Sequence, residues 1–475
     1  MSLLKNTTWG FLGELAVRFS KIAQVALFTR LLGLEQYGRF TYAFSVACLA
    51  AVFFDFGISV VATREIAKKP GDRSVVFQYL NLKLLTSIVG YVMLVIWAWS
   101  ALPDRSQAKL VLLLGLQLWL MDTGTYVFVI YRCRREFWKE TMVRGITVVI
   151  QLVLSAIVVV MYRDVEKAAL ALVIVAAASV GPLIFELRHE LGSFSLRNRQ
   201  LGGALRECLP VFCTTVVAAV YINYDVVVLG QYREMSEVGW YSAVVKTIFG
   251  LFIMPLHYFS LALMPVIAEK SEHSMSEARS LWLNNFARTT FVGAVMALGI
   301  IVFAYPIVVI LFGSAFEPAV QLLIIFAIPG FCYYIYSPMG HWALIRRRQT
   351  WSTVITVLAT VANIVAVRWL IPGHGMFGAT IAAVLTHLVL AIGHIPLTLS
   401  GSDFAWSDPG WRIVVRSAVA VGAAWLAAYL LRSSVFAAGL AATLVFTAIT
   451  WRQLGGLYLD LRVVLQKSFC RVLVP

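Results

Sequence analysis

Charge is scarce in this sequence. Only 13% of its 475 residues are Asp, Glu, Lys or Arg, 60% are hydrophobic, and the mean hydropathy is +0.83. A water-soluble domain carries about a quarter charged residues, so a soluble enzyme, a coiled coil and a disordered chain are excluded. Cysteine is sparse too. Cys48, Cys133, Cys208, Cys213, Cys332 and Cys470 lie far apart, mostly inside apolar runs and without metal-ligand spacing, which excludes a disulfide scaffold and a cysteine metal centre. Long polar connections are missing as well: the longest lies around 188 to 206, leaving no room for an extramembrane catalytic domain. Acids are the scarcest charged class, 24 against 39 Lys and Arg, for a net charge of +15. In a chain this apolar the cationic excess belongs to loops that orient helices and meet anionic headgroups, and no nucleic-acid partner is implied.

What is present is a series of apolar runs of about 20 residues, the length a helix needs to cross roughly 30 Å of hydrocarbon. The first carries Glu14, Arg18 and Lys21, so it lacks the uninterrupted apolar segment of a cleavable signal peptide and should remain as a spanning helix. Windows bounded by charge, Gly and Pro predict fourteen helices: 7 to 32, 38 to 62, 78 to 100, 109 to 131, 139 to 162, 167 to 187, 207 to 230, 238 to 267, 285 to 312, 317 to 342, 350 to 371, 375 to 399, 410 to 431 and 434 to 451. With the N-terminus inside, cytoplasmic connections collect 23 Lys and Arg and the opposite loops 9, which places both termini in the cytoplasm. The Arg346-Arg347-Arg348 run is accounted for mainly by this topology. Residues 457 to 473 can form an amphipathic interfacial helix or a frayed polar end.

The string Leu32-Gly33-Leu34-Glu35-Gln36-Tyr37-Gly38-Arg39-Phe40-Thr41-Tyr42 follows the first helix, and Ser236-Glu237-Val238-Gly239-Trp240-Tyr241-Ser242-Ala243 follows the seventh. Gly38 and Gly239 align at an offset of 201. The chain therefore reads as an all-α polytopic membrane protein with two six-helix lobes, residues 1 to 206 and 207 to 399, related by a pseudo-twofold along the membrane normal. Residues 400 to 475 add two helices and a cytoplasmic tail. Together with Asp55-Phe56-Gly57, Arg64-Glu65, and Asp225 with Leu229-Gly230, these strings resemble the multidrug, oligosaccharidyl-lipid and polysaccharide exporter superfamily, specifically its Wzx-like polysaccharide flippases. The resemblance implies transport of an undecaprenyl-pyrophosphate-linked oligosaccharide across the bacterial plasma membrane, for O-antigen or exopolysaccharide assembly. It implies a monomer working with membrane lipids and other polysaccharide-assembly proteins, and no catalytic residue, metal centre or cofactor. By analogy with lipid-linked precursor flippases, the last two helices would hold a lipid tail.

Charge inside the membrane is costly and marks function. Seven cations remain once loops are assigned: Arg18, Lys21, Lys83, Arg144, Lys246, Arg288 and Arg416. Arg144, Arg288 and Arg416 are near enough to helix ends to snorkel. Glu14, Arg18 and Lys21 form one stripe on the first helix by their i, i+4, i+7 spacing. An ion-pair ladder to Asp55 or Asp122 would explain the stripe structurally. The surplus of cations favours instead a cargo-binding cavity formed by Arg18, Lys21, Lys83 and Lys246 with Glu14, because guanidinium and ammonium groups replace the water that a diphosphate loses.

Asp225, Asn363, Asp55 and Asp122 are the candidates for Na+ or H+ coupling. In the sodium-dependent flippases of the superfamily an Asp of helix seven acts with an Asn and an acid of helix eleven. Asp225 and Asn363 match the first two, but Val367 stands where the second acid would be, which leaves few oxygens for a sodium ion. Protonation of Asp225 and a structural pairing of Asp225 with Lys246 are the other readings. His257, His341, His387 and His394 read as core histidines before a proton relay. Two functions compete with the flippase: a multidrug or cation antiporter of the same superfamily, which wants an acidic cavity, and a membrane glycosyltransferase or polymerase, which wants larger outward loops.

Overall fold

The computed structural model describes residues 3–69, 72–134, 136–191, 201–399, 409–430 and 437–450. The amphipathic-tail expectation at 457 to 473 and Cys470 lie outside them, as do the side chains of Glu14, Arg18 and His257. The described residues are helical apart from short connections: α1 (Leu3–Leu32), α2 (Leu34–Asp55), α3 (Ile58–Lys68), α4 (Arg73–Ala101), α5 (Arg105–Cys133), α6 (Phe137–Tyr162), α7 (Val165–Leu191), α8 (Leu201–Tyr232), α9 (Met235–His273), α10 (Met275–Phe312), α11 (Ala319–Ile345), α12 (Gln349–Leu399), α13 (Pro409–Leu430) and α14 (Ala437–Thr450). Ten helical segments among the described residues are long and apolar enough to cross a membrane, with Leu34–Lys68 and Gln349–Leu399 each taken as one. The helices fall on the fourteen expected spans, with two departures in detail. The second span breaks into α2 and α3, and the eleventh and twelfth run together as α12 through Gly375, whose backbone is non-helical at φ 55 and ψ −133.

Backbone chemistry explains where helices stop. Asp104 accepts from the amide of Ser106 at 2.9 Å and opens α5, and Asp72 does the same for Ser74 at the start of α4. Phe56 and Gly57 both adopt left-handed backbone, at φ 49 and 75, which ends α2 and starts α3. At the Gly375 break, Glu237 accepts from the amide of Met376 at 2.9 Å, and Arg233 donates to the carbonyl of Pro372 at 2.9 Å. Backbone groups released by an interruption need such partners where water is excluded. Gln36 serves α7 in the same way, accepting from the amide of Val165 at 3.1 Å. Gln36 and Glu237 have the 201-residue offset of the two glycines, so equivalent first-turn positions of α2 and α9 each support the start of a later helical segment.

The chain divides into two compact units, residues 1–247 with 362–379 and residues 248–361 with 380–475. In the first unit α5 packs against α2, α4 and α7, and α2 also packs on α8. Its core holds Ile58, Val61, Tyr126, Tyr131 and Cys208. Tyr126 lowers the cost of burial by donating its hydroxyl to the carbonyl of Val76 at 2.6 Å. In the second unit α10 packs against α11 and α13, and Trp282, Phe286, Trp342 and Trp411 form an aromatic core. Trp282 stacks on Trp342 with ring centroids 5.1 Å apart. Large apolar side chains such as Ile96, Met161, Ile310 and Trp369 remain exposed, an arrangement that suits contact with lipid tails and not with water.

Lipid is as apolar as leucine, so helix association here depends on close packing. Gly38 and Gly239 supply it in the first unit. A methyl group at Gly38 would overlap the carbonyl of Met235, and one at Gly239 would lie 2.7 Å from the carbonyl oxygen of Leu34. The repeat glycines are thus where α2 and α9 meet backbone to backbone. Gly38→Ala and Gly239→Ala should each lower stability by about 1–3 kcal/mol through overpacking, seen as a lower Tm of the detergent-solubilised protein. Gly299→Ala, with nothing within 4 Å, should leave Tm unchanged.

Candidate functional site

Two groups of membrane-embedded charge stand out in the first unit, and they differ in kind. The first is closed. Lys83 of α4 is 1% exposed, and its ammonium group lies 2.5 Å from Asp55 Oδ1 and 2.8 Å from Asp122 Oδ2. Asp55 is the last residue of α2. Its carboxylate accepts from the amide of Ser59 at 3.2 Å and from the Ser59 hydroxyl, so the same group closes one helix, opens the next and binds the lysine. Thr86, one turn after Lys83, donates its hydroxyl to the carbonyl of Phe54 at 3.2 Å.

The break is held from α8 as well. Phe56 stacks on Phe212 with centroids 3.9 Å apart, and a methyl group at Gly57 would come within 2.9 Å of Val211. Five helices, α2, α3, α4, α5 and α8, therefore converge on one lysine and its two acids.

The second group is open. Lys246 of α9 places its ammonium 5.0 Å from the centroid of the Phe44 ring, a cation–π contact, and lies in electrostatic range of Lys21, Cys48 and Asp225. Lys21 of α1 is exposed. Among the described residues neither lysine forms an ion pair. Asp225 is buried and already engaged, accepting from the Tyr241 hydroxyl and from the amide of Val226 at 2.8 Å. The carboxylate in electrostatic range of Lys246 is thus committed to a tyrosine, and among the described residues none neutralises the two cations by direct contact.

The sequence-derived residues sort accordingly. Lys21 and Lys246 come together with Asp225. Lys83 does not join them: it is sequestered by Asp55 and Asp122, so it is not part of an unneutralised surplus. With both acids ionised, the Lys83 group carries a net charge of −1. Asp225 and Lys246 stay in electrostatic range, but the direct partner of the Asp225 carboxylate is the Tyr241 hydroxyl. Asn363 is buried in the first half of α12.

His387 and His394 each meet the carbonyl four residues earlier at 2.8 Å, and His394 Nε2 lies 3.0 Å from the Ser352 hydroxyl. Tyr336 packs near both rings. These are bonded core histidines of the second unit.

Sequence reasoning missed Tyr241, Phe44 and Ser59. Tyr241 was visible as an aromatic of the Val238–Ala243 turn, but only the fold brings a residue 16 positions after Asp225 back onto it. Among the described residues no cluster of three His, Cys, Asp or Glu is placed to hold a metal ion.

The family model described as polysaccharide biosynthesis protein matches residues 3–271. A solved structure of the lipid II flippase MurJ, in an inward closed conformation, superposes with a TM-score of 0.71 at 16% identity, covering 95% of this chain and 100% of that one. A multidrug resistance MATE family transporter of the MOP superfamily, in an inward-facing conformation, gives 0.61 at 14% identity, covering 82% of this chain and 97% of that one. Among curated protein sequences none matches significantly.

Removing Lys83 would leave two half-buried carboxylates side by side. Lys83→Met should therefore destabilise by about 3–5 kcal/mol, and adding Asp55→Asn and Asp122→Asn should recover most of the loss. Thermal unfolding of the single and triple variants in detergent measures both. Equal loss in the two would show that the lysine stem, and not its charge, holds the helices.

Proposed function

The chain belongs to the polysaccharide biosynthesis protein family, and from that premise we propose that it is a flippase moving an undecaprenyl-pyrophosphate-linked oligosaccharide across the bacterial plasma membrane. A lipid flippase and a multidrug transporter share the fold, so the fold alone leaves the cargo open. The observation that carries the reading is the pair Lys21 and Lys246: two cations on different helices, electrostatically coupled, with no carboxylate in contact among the described residues. An exporter of organic cations needs the opposite charge in its site. A diphosphate leaving water needs cations to replace its hydration.

Arg18 lies one helical turn before Lys21 and extends the same stripe, with Glu14 one turn further back. In this mechanism the phosphate-sugar head is captured by Arg18, Lys21 and Lys246 from the cytoplasmic side while the polyprenyl chain stays in lipid. The two lobes, 1 to 206 and 207 to 399, then rock to release the head on the other side. The matched roles of Gln36 and Glu237, and the meeting of Gly38 with Gly239, support the twofold repeat that such rocking uses. Both termini face the cytoplasm, helices α13 and α14 guide the lipid tail, and the chain acts as a monomer. No covalent step is needed, so no residue is assigned a catalytic role.

Lys83 leaves the cargo set in this mechanism. Its two acids and the broken helix beside it suit a joint whose geometry depends on charge. Asp225 is the proposed coupling residue, its Tyr241 hydrogen bond competing with a proton or, with Asn363, a sodium ion.

Arg18→Ala and Lys21→Ala should each abolish surface polysaccharide in a flippase-deficient host while the protein still inserts, and Lys246→Ala should reduce it. Wild-type polymer in the first two variants would remove the cargo assignment. For coupling, reconstituted transport should respond to an imposed sodium or proton gradient, and Asp225→Asn should abolish that response. Transport indifferent to both gradients would contradict the role of Asp225.

A further inference from the structure

The second unit contains a basic groove that the transport reading does not use. It lies where α11 ends and α12 begins, encloses about 620 Å³, and is lined by Arg347, Arg348, Thr350 and Trp351, with Gly393 and Pro396 from the far end of α12. Among the described residues that line it there is no carboxylate.

Positive-inside topology explains why arginines stand at this helix end, but not why they line a cavity. The local backbone helps to explain it. Arg347 is in the left-handed region at φ 55, an unusual conformation for a side chain of this kind. The turn is fixed by the amide of Arg347 donating to the carbonyl of Leu344 at 3.0 Å and that of Arg348 to the carbonyl of Ala343 at 2.7 Å. This tight reversal puts two consecutive guanidinium-bearing residues on the same groove wall.

The remaining wall is apolar and aromatic. Trp351 is 64% exposed, and Ile355 and Pro396 continue the surface along the helices. An indole beside arginines at the end of a spanning helix has the chemistry of the membrane–water interface. A volume of this size falls within the range of about 300–1,000 Å³ typical of small-ligand sites.

We propose that this groove binds one anionic phospholipid. Its phosphodiester would be held by Arg347 and Arg348 with the Thr350 hydroxyl, and its glycerol and upper acyl chain would lie against Trp351, Ile355 and Pro396. Guanidinium forks match phosphate oxygens in pairs. The apolar wall is what distinguishes a lipid from free phosphate, since inorganic phosphate has nothing to place there. The assignment is independent of the cargo site, which lies in the first unit.

The test uses the full chain in phosphatidylcholine nanodiscs, titrated with phosphatidylglycerol and read by native mass spectrometry as lipid copies retained per chain. One saturable copy is expected, unaffected by millimolar inorganic phosphate. Arg347→Gln/Arg348→Gln should weaken it about tenfold or more. Thr350→Trp, which fills the groove and keeps both charges, should weaken it as well and serves if the arginine variant does not fold. Tm in phosphatidylcholine alone checks that each variant is intact. Equal retention by wild type and the folded variants, equal retention of phosphatidylcholine, or displacement of the lipid by inorganic phosphate would overturn the proposal.

Discussion

A charged side chain in hydrocarbon must find an opposite charge, a dipole or water, and this requirement organises the first unit. At the break between α2 and α3 it is met within the protein. Asp55 ends one helix, caps the next through Ser59 and holds Lys83, which also reaches Asp122 on α5. Such an arrangement is a poor source of net stability, because desolvating three charges offsets most of their attraction. It is a strong source of specificity. A different packing of α2, α4 or α5 would leave a bare charge in the membrane, so the triad selects one packing among the many that apolar helices could adopt.

The same requirement read at Lys21 and Lys246 gives the opposite outcome. Here the nearby acid is bonded to Tyr241, and among the described residues Lys246 has a cation–π contact with Phe44 and Lys21 in electrostatic range, with no ion pair to either lysine. Cations without a paired carboxylate favour an anion, whereas paired ones are satisfied without one, and this is the ground of the proposed cargo site. The contrast between a group paired with carboxylates and one without such pairs among the described residues, within the same unit, is what the proposed separation of framework from cargo binding rests on. Neither group could be assigned from the count of 39 cations and 24 acids alone.

Small residues do comparable work where charge is absent. Gly38 and Gly239 let two helices approach to backbone contact, and Gln36 and Glu237, offset by the same 201 residues, satisfy amides at the starts of later helical segments. In a medium that gives apolar side chains no reason to associate, close approach and satisfied backbone groups are what remain to define a fold. The repeat strings in the sequence are thus the positions where the backbone itself makes contacts.

The amino-acid sequence determined the class of molecule, the placement of the apolar helices, and the strings by which it resembles the family, since hydropathy over about 20 residues and glycine at tight contacts are local properties. It also numbered the embedded charges Asp55, Lys83, Asp122, Asp225 and Lys246. Tertiary structure alone decided which charges meet. Lys83 lies 28 residues from Asp55 and 39 from Asp122, and Lys246 reaches Phe44 across some 200 positions. Pairing of this kind depends on helix rotation and neighbour order, which one-dimensional periodicity does not encode. That is why the sequence grouped Lys83 with the other embedded cations, whereas the fold pairs it with Asp55 and Asp122.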